Sequence, residues 1–189
     1  MNRETHYAAR PSPADVHAIS EGFPTQDLSR TAALALLRQQ HDELGAMFRD
    51  MSAALASIGQ EELALVSDGM AHLREAGFRE RLTRLSGELF DTFRRLRLRE
   101  EETLRVAGMR RFGEAWTEHK HSHAVFLRQL AATLANPDRD SPGCVARELA
   151  VLIDEYWAVH ALDHDHLAFS LLALLPGAPG SGDEHRALR

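Results

Sequence analysis

The sequence has one cysteine, Cys144, so an internal disulfide is excluded, and with it the small stapled folds that depend on one. Clustered-thiolate zinc and iron–sulfur sites are excluded on the same ground. Aromatic residues make up only 6%, β-branched residues are few beside Leu, Ala, Arg and Glu, and no stretch alternates apolar and polar side chains. A sheet has little to build on, and helix is favoured. No long uncharged apolar run occurs, and the opening residues MNRETHYAARPSPADVH lack a signal-peptide core, so a soluble cytoplasmic protein is expected. Basic residues do not dominate: 22 face 28 acidic ones, for a formal net charge of −6. That balance argues against broad nucleic-acid binding, which rests on phosphate neutralisation. No repeat of fixed period is present.

What the chain does have is helical periodicity. Its 189 residues, 44% hydrophobic and 26% charged, suit one globular domain able to bury a core unaided. Residues 1–26 hold three of the seven prolines and read as an N-terminal arm; residues 176–189 read as a flexible C-terminal tail. Residues 27–175 between them contain four helix-length patterns.

The first pattern starts after an N-cap at Asp27 or Ser29, follows the stripe Leu34, Leu37, His41, Leu44, Phe48, Met51, Leu55, Ile58, and closes at Gly59. Residues 60–76 read as a connector with room for a short helix. The second runs from about Phe78 to Gly108, with Phe90, Phe93, Arg97, Glu101 and Leu104 inward. The third spans roughly 114–135 and presents Trp116, His119, His123, Leu127, Leu130 and Leu134. The fourth begins with Ser141 as N-cap and Pro142 at the first helical position, and continues to Leu175. The expected fold is all-α, an antiparallel four-helix bundle.

Eleven histidines are the unusual feature. His41, His119, His123 and His160 occupy positions where the stripes call for apolar side chains, and Arg97 and Glu101 do so on the second helix. Burying such groups unpaired costs on the order of a few kcal/mol each, which a shared partner would offset. His-x-x-x-His spacing alone is weak, since chance supplies roughly 0.6 such pairs. The joint pattern is stronger, because all four helices place ionisable groups on the inner face well inside their ends. Residues four apart lie about 40° apart on a helix, so His119 and His123 can reach one cation. Imidazole with carboxylate suits iron, manganese or zinc. His121 and His166 read as exposed, two of Glu100, Glu101 and Glu102 as solvated, and Trp116, Tyr156 and Trp157 as core.

The segments QQHDELGAMF, LRLREEETL, HKHSHAVFL and HALDHD resemble, in order, the ligand-bearing helices of hemerythrins and bacterial hemerythrin-like proteins. The resemblance covers roughly residues 30–175 and lies in the order of the motifs, one per helix. It implies a hemerythrin-like bundle holding non-haem iron as a diiron pair, with metal ligands His41, Glu101, His119, His123, His160 and Asp165. The family places a histidine four residues before its second-helix glutamate; here that residue is Arg97, which stays protonated and has no lone pair for a cation. Three outcomes stay open: water at an extra open position, replacement by His164 or His72, or a single metal or none, with Arg97 paired to Glu101. Another divalent ion in place of iron is also open. Residues five apart lie about 140° apart on a regular helix, so Asp163 or His164 competes with Asp165 for the fourth-helix place.

The function that the resemblance implies is binding, storage or sensing of dioxygen or another small diatomic or peroxide ligand. An enzyme acting on peroxide, nitric oxide or oxygen, and a metal-poor bundle serving as an interaction module, are the alternatives. Neither nucleic acid nor membrane is expected as a partner, and a homo-oligomer is left open.

Overall fold

The computed structural model describes residues 30–67, 71–135 and 141–175. The two tails, the N-cap at Asp27 or Ser29 and most of the loop before Ser141 lie outside the described residues. Helix α1 runs from Arg30 to Ser67 and α2 from Ala71 to Val106. A 3₁₀ turn, Met109–Arg111, leads to α3, Gly113–Leu134. The last rod comprises α4, Pro142–Val159, a π turn, His160–Asp165, and α5, His166–Leu174, with helical backbone across both junctions. The described residues form four helical rods and contain no strand. None of the described helices is long and apolar enough to cross a membrane.

The ends of these helices have local causes. Ser141 is extended (φ −62°, ψ 150°) and its hydroxyl accepts from the Cys144 N–H at 3.3 Å, with Pro142 next in the chain, so the sequence signal for the start of α4 holds. The α4 start is also held from α1: Glu62, 6% exposed, accepts from the Ser141 hydroxyl at 2.6 Å and from the Gly143 N–H at 3.0 Å. A carboxylate there meets the positive end of the helix dipole. After α2 the chain turns at Gly108, whose φ of +96° suits a residue without a Cβ.

Gly59 does not close the first helix, and residues 60–67 and 71–76 are helical rather than a connector. The glycine answers a packing need instead. A Cβ at Gly59 would lie 2.6 Å from Arg147 Cγ and 3.2 Å from the Gly143 carbonyl, and the Arg147 guanidinium donates to the Gly59 carbonyl at 3.1 Å. A Cβ at Gly143 would collide with the Glu62 carboxylate, and one at Gly45 would come within 2.7 Å of the Trp157 ring. These small residues let α1 and α4 approach closely. Glu62 meets Gly143, Gly59 meets Arg147, Gly45 meets Trp157 and His41 meets Asp165, so rising numbers on α1 meet falling numbers on the last rod.

Two apolar clusters fill the interior. The larger includes Leu44, Phe48, Leu55, Leu89, Phe93, Phe126, Leu130 and Leu149; the smaller includes Leu37, Leu104, Met109, Ala168 and Leu172. Burying each large side chain stabilises the fold by roughly 1.5–3 kcal/mol. Along every rod the two clusters are separated by about one turn of polar side chains: His41, Glu100, His119 to His123, and His160 to Asp165.

Candidate metal centre

Helix α2 sets the first surprise of the site. Its fully inward stripe is Leu82, Leu85, Leu89, Phe93, Leu96, Glu100, Thr103 and Leu104, all buried. Phe90, Arg97 and Glu101 lie on its flank, with the Arg97 and Glu101 side chains 22% and 17% exposed. Glu100, read from sequence within a mostly solvated run, is therefore the carboxylate at the centre, 3% exposed. The stripe Leu89, Phe93, Leu96, Glu100 steps by three and four, and that spacing was the signal available in the sequence. In this register the residue four before the central glutamate is Leu96, so Arg97 does not stand in a ligand position.

Glu100, His119, His123 and His160 form a buried group whose ligand atoms all lie within 4.8 Å of one another, a group that can hold a metal ion. Glu100 Oε2 is 3.3 Å from His123 Nε2 and 3.7 Å from His119 Nε2, and His123 Nε2 is 3.3 Å from His160 Nε2. Asp165 Oδ1 lies 3.0 Å from His160 Nε2 and 3.8 Å from His119 Nδ1. A cation bound tetrahedrally at about 2.1 Å separates its ligand atoms by roughly 3.4 Å, close to these spacings.

The outer contacts of the imidazoles decide where their protons sit. His123 Nδ1 is 2.9 Å from Glu101 Oε1, an acceptor only, so Nδ1 carries the proton. The Ser122 hydroxyl donates to the His119 carbonyl at 2.8 Å, which leaves its oxygen to accept from His160 Nδ1 at 2.9 Å. The two Nε2 atoms turn inward, 3.3 Å apart, with the Glu100 carboxylate beside that of His123. Glu100 Oε2, both ring nitrogens of His119 and Asp165 Oδ1 are buried with no aligned hydrogen-bond partner. Each such atom costs about 1–3 kcal/mol if nothing meets it. A cation fits this donor set.

Charge couples the carboxylates to the imidazoles. Burial alone would raise the Glu100 carboxyl, but His119 and His123 hold it well below the usual carboxylate range. Burial and the Glu100 charge oppose ionisation of Asp165, yet His160 and His41 keep it on the low side. Burial pushes His160 down, whereas Glu100 and Glu101 overcome burial and raise His123. Glu101, despite its burial, is lowered by His123 and Arg97. Three carboxylates, Glu100, Glu101 and Asp165, thus surround the imidazoles, with Arg97 the nearby guanidinium, 3.6 Å from Glu101.

Of the residues expected as ligands, the structure brings His119, His123 and His160 into the four-residue group, with Asp165 at its edge. Glu101 is outside that group and instead holds His123. His41 is also outside it: its Nδ1 bonds Asp165 Oδ2 at 2.8 Å, and its ring, 25% exposed, lies against Trp157. The hydrogen bond that His41 donates to Asp165 raises its pKa against the opposing effect of burial.

The π turn accounts for Asp165. Spreading His160–Asp165 over one wide turn returns the sixth residue to the face of the first, so His160 and Asp165 are each 1% exposed while Asp163 is exposed. His164 is half-buried with its ring 6.1 Å from that of His119, outside the group. The side chain of His72 lies outside the described residues. His121 and His166 are exposed, as their positions suggested, and Trp116, Tyr156 and Trp157 are half-buried against the apolar clusters.

The fold and site together define an all-α four-helix protein with a buried Glu/His₃ group able to hold a metal ion. No family model, no curated protein and no solved structure matches the chain.

Proposed function

We propose that the chain is a hemerythrin-like, antiparallel four-helix bundle that holds non-haem iron and binds or senses dioxygen or a comparable small ligand. The observation that carries the metal is the convergence of Glu100, His119, His123 and His160, whose ligand atoms lie within 4.8 Å of one another, with a Glu100 oxygen and both His119 nitrogens lacking a hydrogen-bond partner. Burying so many polar atoms without partners is costly, and a cation among them would meet them together. The choice of iron and of a dioxygen-like ligand rests on the order of the four motifs and on a donor set of imidazole and carboxylate, which suits iron among other ions.

Glu100, His119, His123 and His160 are the ligands in this reading, and Asp165 is a fifth donor. The reading favours one ion per chain: Leu96 and Arg97 offer nothing to a second, and His41 is engaged with Asp165. Glu101 and Ser122 hold the imidazoles in the ligating tautomer, and Arg97 anchors Glu101. The two apolar clusters exclude bulk water. Iron there would supply a reversible redox couple and an open position for a small ligand.

The test is metal content and the ultraviolet–visible spectrum of full-length protein from iron-supplied cells. One iron per chain with an oxygen-sensitive absorption is expected. Two irons per chain would restore the diiron form with His41 as ligand, and a metal-free chain of unchanged melting temperature would overturn the proposal.

A further inference from the structure

A cleft of about 340 Å³ opens between α3 and the last rod. Val125, Leu152 and Val159 line it, and Ser122, Tyr156 and His160 also face it. His160 belongs to the four-residue group, and Ser122 fixes its tautomer. A second cavity, of about 420 Å³, lies among Leu82, Ser86, Phe90, Leu134 and Val145 and touches none of the group.

The Tyr156 ring stacks on His160 with centroids 5.0 Å apart and on Phe126 at 4.2 Å, so the phenol is fixed in place. Its hydroxyl is buried without a well-formed hydrogen bond, Ser122 being the polar side chain that bears on it. Buried hydroxyls are normally satisfied, and one so weakly held beside a cavity can turn to a guest that accepts a hydrogen bond. The apolar side chains of the wall favour uncharged guests, and the Glu155 carboxylate among the lining repels anions. Small uncharged molecules carrying an acceptor atom, diatomic gases and hydrogen peroxide among them, meet both conditions.

We propose that this cleft is the entry chamber through which a small uncharged ligand reaches the Glu/His₃ group, with the Tyr156 hydroxyl as its hydrogen-bond donor. The inference rests on the metal-binding reading above and adds a route and a residue to it.

The probe is nitric oxide, mixed by stopped flow with full-length, ferrous-loaded protein, with iron content measured on the same samples. Val159, at 55% exposure, can be enlarged without disturbing the core. Val159→Trp should slow association at least tenfold at unchanged iron affinity, and Val125→Trp should do the same from the opposite wall. Tyr156→Phe keeps the stacking and should speed dissociation roughly tenfold, the effect of one hydrogen bond. In metal-free protein, dissolved xenon should shift the Val125 and Leu152 methyl resonances but not those of Leu37 or Leu172.

Fully loaded Val159→Trp and Val125→Trp proteins that associate at the parent rate would overturn the route alone. A Tyr156→Phe dissociation rate equal to the parent's would remove the hydroxyl from it. A parent chain that takes up no iron would overturn the metal-binding reading, and this inference with it.

Discussion

Adjacent glutamates in this chain have different work, because one residue is 100° of rotation on a helix. Glu100 points to the three imidazoles, while Glu101 reaches only the far nitrogen of one of them. Glu100→Gln should therefore lower metal affinity well beyond the roughly 10–100-fold expected on removing an outer partner, and Glu101→Gln should fall within that range. Chelator competition on both variants reads the difference, and an inverted order would return Glu101 to the centre. Phe126, fully buried against Phe48, Phe93 and Tyr156, supports the site from below. Phe126→Ala should cost about 3–5 kcal/mol in urea denaturation.

The histidines were legible residue by residue because an imidazole on an apolar stripe breaks a strong pattern, as at His119, His123 and His160. Glu100 was harder to see. Arginines and glutamates crowd residues 94–105, and the stripe through Leu96 competes with one through Arg97 that differs by a single position. Only the packing of α2 against its neighbours chooses between them.

Among the elements, the start of α4 could be read from Ser141 and Pro142, since a cap is a local device. The length of α1 could not. A glycine after an apolar run looks like a helix end, whereas Gly59 is needed for the closeness of Arg147, a residue far away in sequence. Gly143 makes the same point testable. Gly143→Ala should destabilise the protein by about 1–3 kcal/mol in denaturant unfolding, as overpacking does. The companion variant Glu62→Ala would remove the obstructing carboxylate but also its bonds to Ser141 and Gly143.

The π turn was also invisible in sequence, because HALDHD carries no residue that a regular helix would refuse. Its extra residue can be added to or taken away. Deleting Leu162, 73% exposed, leaves Asp165 four residues after His160 and still on the inner face, so folding and metal uptake should persist. Inserting an alanine after Leu162 instead turns everything beyond by about 100°. It would draw Asp165 from the site and Ala168 and Leu172 from the core, with loss of metal uptake and a lower melting temperature.

At the scale of the whole molecule, a bound ion and folding are linked. A metal present at 1,000 times its dissociation constant stabilises the folded state by about 4 kcal/mol. For a domain of this size that raises the melting temperature by roughly 10 °C. Calorimetry of iron-loaded and chelated protein reads it, and identical curves would dissociate the site from the fold.

The position of the polar turn between two apolar clusters has a further result. Rods in a bundle ordinarily fray from their tips, where neighbours are fewest. Here the extremities are latched by Leu130 and Leu149 at one end and by Met109 and Leu172 at the other, and the waist depends on charge. With no ion at the Glu/His₃ group, the protein would loosen from the inside outward, with the amide protons of Ser122 and His123 exchanging before those of residues nearer either end.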